Sequence, residues 1–320
     1  MDRFHIVVAN FKKLDCFVEN FHHIKGFDSQ RDRVYIFDAT PESNVKEQLA
    51  IADLLSSRGL RWGYNLFFVR RRDWGKNLES HLDYLRCLRD GLIEIPKYCF
   101  LMQDHYLDLK NSVKEDTIPE GIIFDLDDIF NRLEEDETIG CAFYARYGVR
   151  IVVSNPIIDV NKEFFGDGED LLPGAVRRSF LVDGSNFIVR PELYLKWFAQ
   201  HPNYLTKGDG SYGFSIVWED RIGRILYDQG IIWLDLRRNL KYKTIEDVDA
   251  IENQLGQKIS KLWYDHRIWY FFYGRDLYRY WPLPLSSFFR HLRMYIKLST
   301  KYSKDISINF LQPQELKNGR

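Results

Sequence analysis

Across its first hundred residues the chain alternates short apolar runs with longer stretches whose apolar residues recur at helical spacing. Residues 5–9 read as a strand and residues 16–24 as a helix. A second strand at 34–37 ends at Asp38, after which Thr40, Pro41 and Glu42 supply an N-cap, a first-turn proline and an early acid for a helix to about residue 57. A third strand at 66–69 follows, then a helix over 78–93 with its stripe of Leu78, Leu82, Leu85, Leu88 and Leu92, then a fourth strand at 98–102. Such alternation predicts a mainly parallel sheet with helices on both faces. Ligands of these sheets bind beyond the carboxyl ends of the strands. Asp38 and the polar triplet Gln103, Asp104 and His105 are therefore expected at one edge, with Asp104 at the surface end of its strand.

The middle of the chain is less regular. Residues 122–133 read as helix, 140–147 as strand, and the Gly-, Asp- and Pro-rich stretch 149–176 as loops. Residues 179–189 read as one strand, and 191–199 as a helix opened by Pro191. The loop 207–213 precedes a helix from Glu219 to about Asp228, and 231–234 reads as the final strand. The sequence shows no internal repeat and no low-complexity tract.

Composition narrows the function. A net charge of −1 gives no electrostatic reason to expect a nucleic-acid partner. Four dispersed cysteines, without a C-x-x-C pair, argue for a reducing compartment rather than a zinc site. The amino terminus runs almost directly into a strand, and no apolar run reaches the roughly 18 residues of a membrane span. A cytoplasmic protein is expected.

Several segments resemble, in order, those of family-2-type inverting glycosyltransferases. Residues 6–10 (Ile-Val-Val-Ala-Asn) resemble the opening strand, and residues 34–40 the strand ending in a nucleotide-binding Asp. Trp74, Gly75, Lys76 and Asn77 resemble a turn before a helix, and residues 100–105 stand where the D-x-D strand would be. Residues 183–190 resemble an acceptor strand running into Arg190, and Trp218, Glu219 and Asp220 open what resembles the helix of the catalytic base. The similarity covers roughly residues 4–236. It implies a GT-A-type α/β fold with a Rossmann-like, mainly parallel mixed sheet. It also implies sugar transfer from a nucleotide-diphosphate sugar to a hydroxyl of a glycan or lipid-linked saccharide.

The resemblance also implies roles for individual residues. Asn10, Asp38 and Asn77 belong to the nucleotide side, although an Asp before Thr-x-type turns also serves as a plain helix cap. Asp104 and His105 are the candidate ligands of Mn²⁺ or Mg²⁺, which would offset charge on the departing diphosphate. Only one carboxylate stands in the triplet, where the family has an acidic pair. Asp220 is the candidate base and Glu219 its orienting neighbour, while acids at a helix start are also favoured by the helix dipole alone. Arg224, one turn on, is a candidate for the diphosphate, and Asp183, Ser185 and Asn186 for the acceptor. Residues 208–213 match G-x-G-x-x-G but follow no strand of a βαβ unit, and Gly75-Lys76 lacks the earlier glycine of a phosphate-binding loop.

Domain organisation follows as a glycosyltransferase domain over 1–254 and an aromatic, basic extension over 255–320. Within the extension, Leu285, Phe288, Phe289, Leu292, Tyr295 and Ile296 form one helical stripe, with Arg290, His291, Arg293 and Lys297 opposite. That pattern suits a helix lying on the inner face of a cell membrane, and equally one packed on the domain or on a second copy in a homo-oligomer. Two other functions compete with sugar transfer. A sugar nucleotidyltransferase would carry a Gly-rich basic loop where Asn10, Phe11, Lys12, Lys13, Leu14 and Asp15 stand. A non-catalytic glycan- or partner-binding protein would not need Glu219 and Asp220. Asp220→Asn therefore tests the base: donor affinity should persist while turnover falls by at least about 100-fold, with Glu219→Gln doing less. Near-normal turnover in Asp220→Asn would remove that residue from the chemistry.

Overall fold

The computed structural model describes residues 1–70, 77–108, 122–144, 149–154, 177–182, 186–200, 230–257, 260–264 and 309–312. The protein is a mixed α/β structure built on a mostly parallel sheet. In chain order the first half comprises β1 (Phe4–Asn10), α1 (Leu14–Asn20), β2 (Ile24–Lys25), β3 (Asp32–Asp38), α2 (Val45–Asp53), β4 (Leu66–Arg70), α3 (Asn77–Arg89) and β5 (Tyr98–Gln103). Then come β6 (Phe124–Asp125), α4 (Leu126–Glu135), β7 (Ile139–Phe143), β8 (Val149–Ser154), β9 (Arg177–Val182), β10 (Phe187–Val189) and α5 (Pro191–Gln200). The chain continues with β11 (Ile232–Asp235), β12 (Leu240–Tyr242), α6 (Ile245–Leu255), β13 (Ser260–Tyr264) and β14 (Asn309–Leu311).

The main sheet runs β12-β11-β7-β10-β5-β1-β3-β4-β14. Strands β5, β1, β3 and β4 are mutually parallel, β10 is antiparallel to β5 and β7, and β11 is parallel to β7. The outermost strands β12 and β14 are both antiparallel to their neighbours. From β1 the chain steps outward to β3 and β4, then returns across β1 to β5. At such a reversal open α/β sheets form a ligand crevice outside the carboxyl ends of the strands, here those of β1 and β5.

Each face of the sheet carries its own apolar core. Phe4, Ile6 and Val8 of β1 pack with Leu14, Phe17 and Val18 of α1, Leu49 and Ala52 of α2, and Leu126, Ile129 and Leu133 of α4. Val7, on the other face, joins Tyr84, Leu85 and Leu88 of α3, Tyr194 and Trp197 of α5, and Val248 of α6. All seven residues of β1 are buried, which is why its sequence reads as a continuous apolar run rather than an alternation. Helix ends are fixed locally. The Asp125 carboxylate accepts from the N–H groups of Asp127 and Asp128 to start α4, and Thr244 with Asp247 forms a capping box on α6.

Several boundaries differ from the sequence reading. The helix expected to residue 57 is α2 flanked by 3-10 turns at Glu42–Asn44 and Leu54–Arg58. The expected stripe of α3 includes Leu92, but that helix stops at Arg89, Gly91 takes a left-handed φ of 69°, and Leu92 is 61% exposed. Residues 122–133 first pair β6 with β2 before α4 begins. Part of the stretch read as loops is β8, whose β-branched Val149, Ile151, Val152 and Val153 outweigh the glycines and prolines that follow. The single strand expected over 179–189 is two strands in different sheets, β9 in the three-stranded sheet β13-β8-β9 and β10 in the main one. Strand β11 is not the last, since β12, β13 and β14 follow.

The described parts of the expected helical extension are strands. Strand β13 pairs with β8, and β14 seals the outer edge of β4, with Asn309 opposite Arg70 and Leu311 opposite Phe68. The stripe over 285–297 lies outside the described residues. Among the described residues no helix is long and apolar enough to cross a membrane. An uncovered β4 would offer a row of unpaired backbone groups to other chains. Deleting residues 309–320 should lower stability by about 1–3 kcal/mol, the scale of a few lost hydrogen bonds, and raise light scattering on warming. Urea unfolding and scattering unchanged from the full chain would show that β14 contributes nothing.

Candidate active site

Polar side chains stand in a row along the carboxyl edge of the parallel strands. Asn10 ends β1, Asp38 ends β3, Arg70 ends β4, and Gln103 with Asp104 ends β5. Asn186 enters this row from the opposite direction, because β10 is antiparallel and begins where β5 ends. Its Oδ1 accepts the Gln103 N–H at 2.8 Å, sealing the last backbone donor of β5.

Asp38 is fully buried yet densely solvated by protein. Asn10 Nδ2 donates to its Oδ1 at 2.8 Å, Thr40 Oγ1 to its Oδ2 at 3.0 Å, and Arg70 Nη1 to the same Oδ2 at 3.2 Å. Arg70 also reaches the Asp38 carbonyl at 3.1 Å, and its Nη2 reaches Glu42 at 3.2 Å. Burial pushes the Asp38 carboxyl up from its ordinary value, against the opposing pull of Arg70, Thr40 and Asn10. Asn10 is shared: the same Nδ2 donates to Gln48 Oε1 at 3.0 Å, while its buried Oδ1 accepts no hydrogen bond. An amide flip would set that oxygen against the Asp38 carboxylate, so the orientation follows from the network. A buried acceptor left over at the carboxyl edge of a parallel sheet would suit an N–H or O–H donor on a bound molecule.

Asp104 differs from the expectation of a surface strand end, being only 2% exposed. Its N–H donates to the Ala9 carbonyl at 3.0 Å, and its Oδ2 accepts from the backbone N–H of Phe11 at 2.6 Å and of Lys13 at 3.0 Å. Between those donors Lys12 has a φ of 80°, a left-handed conformation that costs a non-glycine residue about 1–2 kcal/mol. Asp104 Oδ1 lies 2.9 Å from His105 Nδ1. The Cys16 thiol of α1 is pushed up to about 11, chiefly by burial and then by Asp15 and Asp108, with Lys13 opposing and Asp104 adding to the rise.

These positions bear on the expected divalent cation. With Oδ2 taken by two N–H donors and Oδ1 against His105 Nδ1, a cation at Asp104 would have to share or displace that contact, with the His105 imidazole as its neighbour. Among the described residues no group of three His, Cys, Asp or Glu side chains forms a cage. One carboxylate oxygen beside an imidazole departs from the all-oxygen shell that Mg²⁺ prefers, and would leave any ion there to complete its shell with substrate phosphates and water.

Asn77 is the first residue of α3. Trp74, Gly75 and Lys76, the acceptor candidates Asp183 and Ser185, and Glu219, Asp220 and Arg224 lie outside the described residues. The sequence reading passed over Arg70 and Gln48. Arg70 had a signal, since Val69 is followed by three arginines at a strand end. Gln48 had none, because a glutamine inside a helix looks like any solvent-facing residue until α2 turns it towards Asn10.

Removing Arg70 should strand a buried carboxylate. Arg70→Met should cost about 3 kcal/mol at neutral pH. Asp38 is an acid with a raised folded-state pKa, so its protonated form supports the fold and that support is lost as pH rises through the raised value. Without Arg70 the carboxyl rises further, and the deficit of the variant should shrink from neutral to mildly acidic pH. Urea unfolding at the two pH values checks this, and a deficit independent of pH would deny the coupling. Compared with models of known protein families and with curated protein sequences, the chain gives no match.

Proposed function

We propose that this chain is a glycosyltransferase of GT-A-type fold, moving a sugar from a nucleotide-diphosphate sugar to a hydroxyl of a glycan or lipid-linked saccharide with inversion. The observation that carries the reading is the meeting of Asn10, Asp38, Arg70 and Asp104 at the carboxyl ends of four adjacent parallel strands, around the point where strand order reverses. The ordered resemblance of the segments around these residues to a sugar-transferring family supports it. So does the loop after β1, which lacks the glycines of a nucleotidyltransferase.

In this reading Asp38 and Asn10 face the nucleoside, the Asn10 Oδ1 taking a donor group from it. Arg70 adds positive charge on the same side. Asp104 Oδ1 and His105 would hold Mn²⁺ or Mg²⁺, which when bound offsets the charge on the departing diphosphate. An acceptor hydroxyl attacks the anomeric carbon as the bond to the diphosphate breaks, and its proton passes to Asp220 with Glu219 beside it. Asp183, Ser185 and Asn186 border the acceptor, and Arg224 and Asn77 the donor. The basic amphipathic segment 285–297 would bring the protein to a membrane surface that presents a lipid-linked acceptor.

Thermal shift against a panel of nucleoside diphosphates, with and without Mn²⁺, tests the donor site. A true ligand at about 100 times its Kd should stabilise the protein by about 2.7 kcal/mol, a rise of a few degrees. Asp38→Ala should abolish the rise. If no nucleoside diphosphate shifts the transition in either condition, the reading fails; binding without any sugar transfer would favour a glycan- or partner-binding protein on the same fold.

A further inference from the structure

We infer that Asp104 is a positioning residue that clasps the β1–α1 loop, in addition to any contact it makes with a cation. The backbone N–H groups of Phe11 and Lys13, on either side of left-handed Lys12, converge on one carboxylate oxygen at 2.6 and 3.0 Å. Backbone donors arranged about a left-handed residue form a concavity that binds anions. Here the concavity holds an anion from the chain's own β5. Because the Asp104 N–H is itself bonded to the Ala9 carbonyl, one residue spans the loop's entry and its return.

The clasp explains two features that sequence alone leaves without cause. Lys12 occupies a backbone region that favours glycine, and the two charge-assisted bonds on either side hold it there. Phe11, 42% exposed, is held by its own N–H at the edge where Asn10 and Asp38 stand, instead of folding into the core beneath α1. The loop therefore presents a fixed face to the crevice before any ligand arrives. Oδ2 performs this task, so the residue's two oxygens have separate duties, and removing the side chain should disturb the crevice even when metal is absent.

Hydrogen–deuterium exchange on the full chain, free of metal and nucleotide, tests the clasp without reference to sugar transfer. In Asp104→Ala the peptide covering residues 9–16 should exchange at least roughly tenfold faster, the scale of losing hydrogen bonds to a charged acceptor. The peptide covering 245–255, far along the sheet on α6, should be unchanged. Asp104→Asn keeps an acceptor oxygen and should accelerate the same peptide by roughly threefold, which serves the test if the alanine variant does not fold. Uridine diphosphate titrated in EDTA should bind Asp104→Ala at least roughly tenfold more weakly than the wild type. Unchanged exchange at 9–16, or a loss of nucleotide affinity seen only with Mn²⁺ present, would leave Asp104 a plain cation ligand and overturn the clasp. Failure of the wild type to bind any nucleoside diphosphate would instead count against the proposed function, leaving the exchange result to stand.

Discussion

Strand β1 is the member on which the carboxyl edge depends. It is buried on both faces and paired in parallel on both edges, to β3 and β5. Both polar centres of the crevice are tied to its end. Asn10 bonds the carboxylate that ends β3, and the next three residues wrap the carboxylate that ends β5. A shift of β1 by one residue would exchange its two faces and break both ties at once. The opposite end is locked as firmly. Arg3 forks onto Asp32 with bonds of 3.0 and 2.6 Å, while Asp32 also accepts the Phe4 N–H at 3.1 Å, so β1 and β3 are pinned in register at their start.

The two carboxylates of the crevice are stabilised by different means. Asp38 is surrounded by side chains and one guanidinium, and burial still raises its pKa. Asp104 Oδ2 relies on backbone donors, which cannot rotate away, while its Oδ1 lies against His105 Nδ1. The hydrogen bonds around Asp38 can therefore change as the Arg70 or Asn10 side chain turns, whereas those on Asp104 Oδ2 change only if the loop's backbone moves. That division suits a site in which one part adapts to the bound molecule and another part holds its shape.

Much of this arrangement was legible in the chain. The apolar runs of β1, β3, β4 and β5 and the polar residue ending each one are local signals, and parallel topology brings those ends together without further information. What escaped notice depended on contacts between distant segments. Among the described residues, β8 pairs with β9 and β13, and β14 joins β4 from far downstream in the sequence. Neither pairing leaves a trace within a short window. The occupancy of Asp104 was also invisible, because its partners are main-chain groups, and any residue type carries those. Leu92 failed for a simpler reason: a helical stripe continues in sequence after Gly91 has ended the helix in space.

The late arrival of β14 has a consequence for how the protein is made. Strand β4 leaves the ribosome early, yet the strand that covers its edge lies roughly 240 residues downstream. At about 5–20 residues per second, that edge waits roughly 10–50 s for its partner. Its sequence, Leu-Phe-Phe-Val-Arg, is apolar and β-prone until the final arginine. From the emergence of β4 until that of β14 the nascent domain thus carries an adhesive border. Termination after β12 but before residue 309 would release a chain whose main sheet is otherwise assembled but still open to its neighbours.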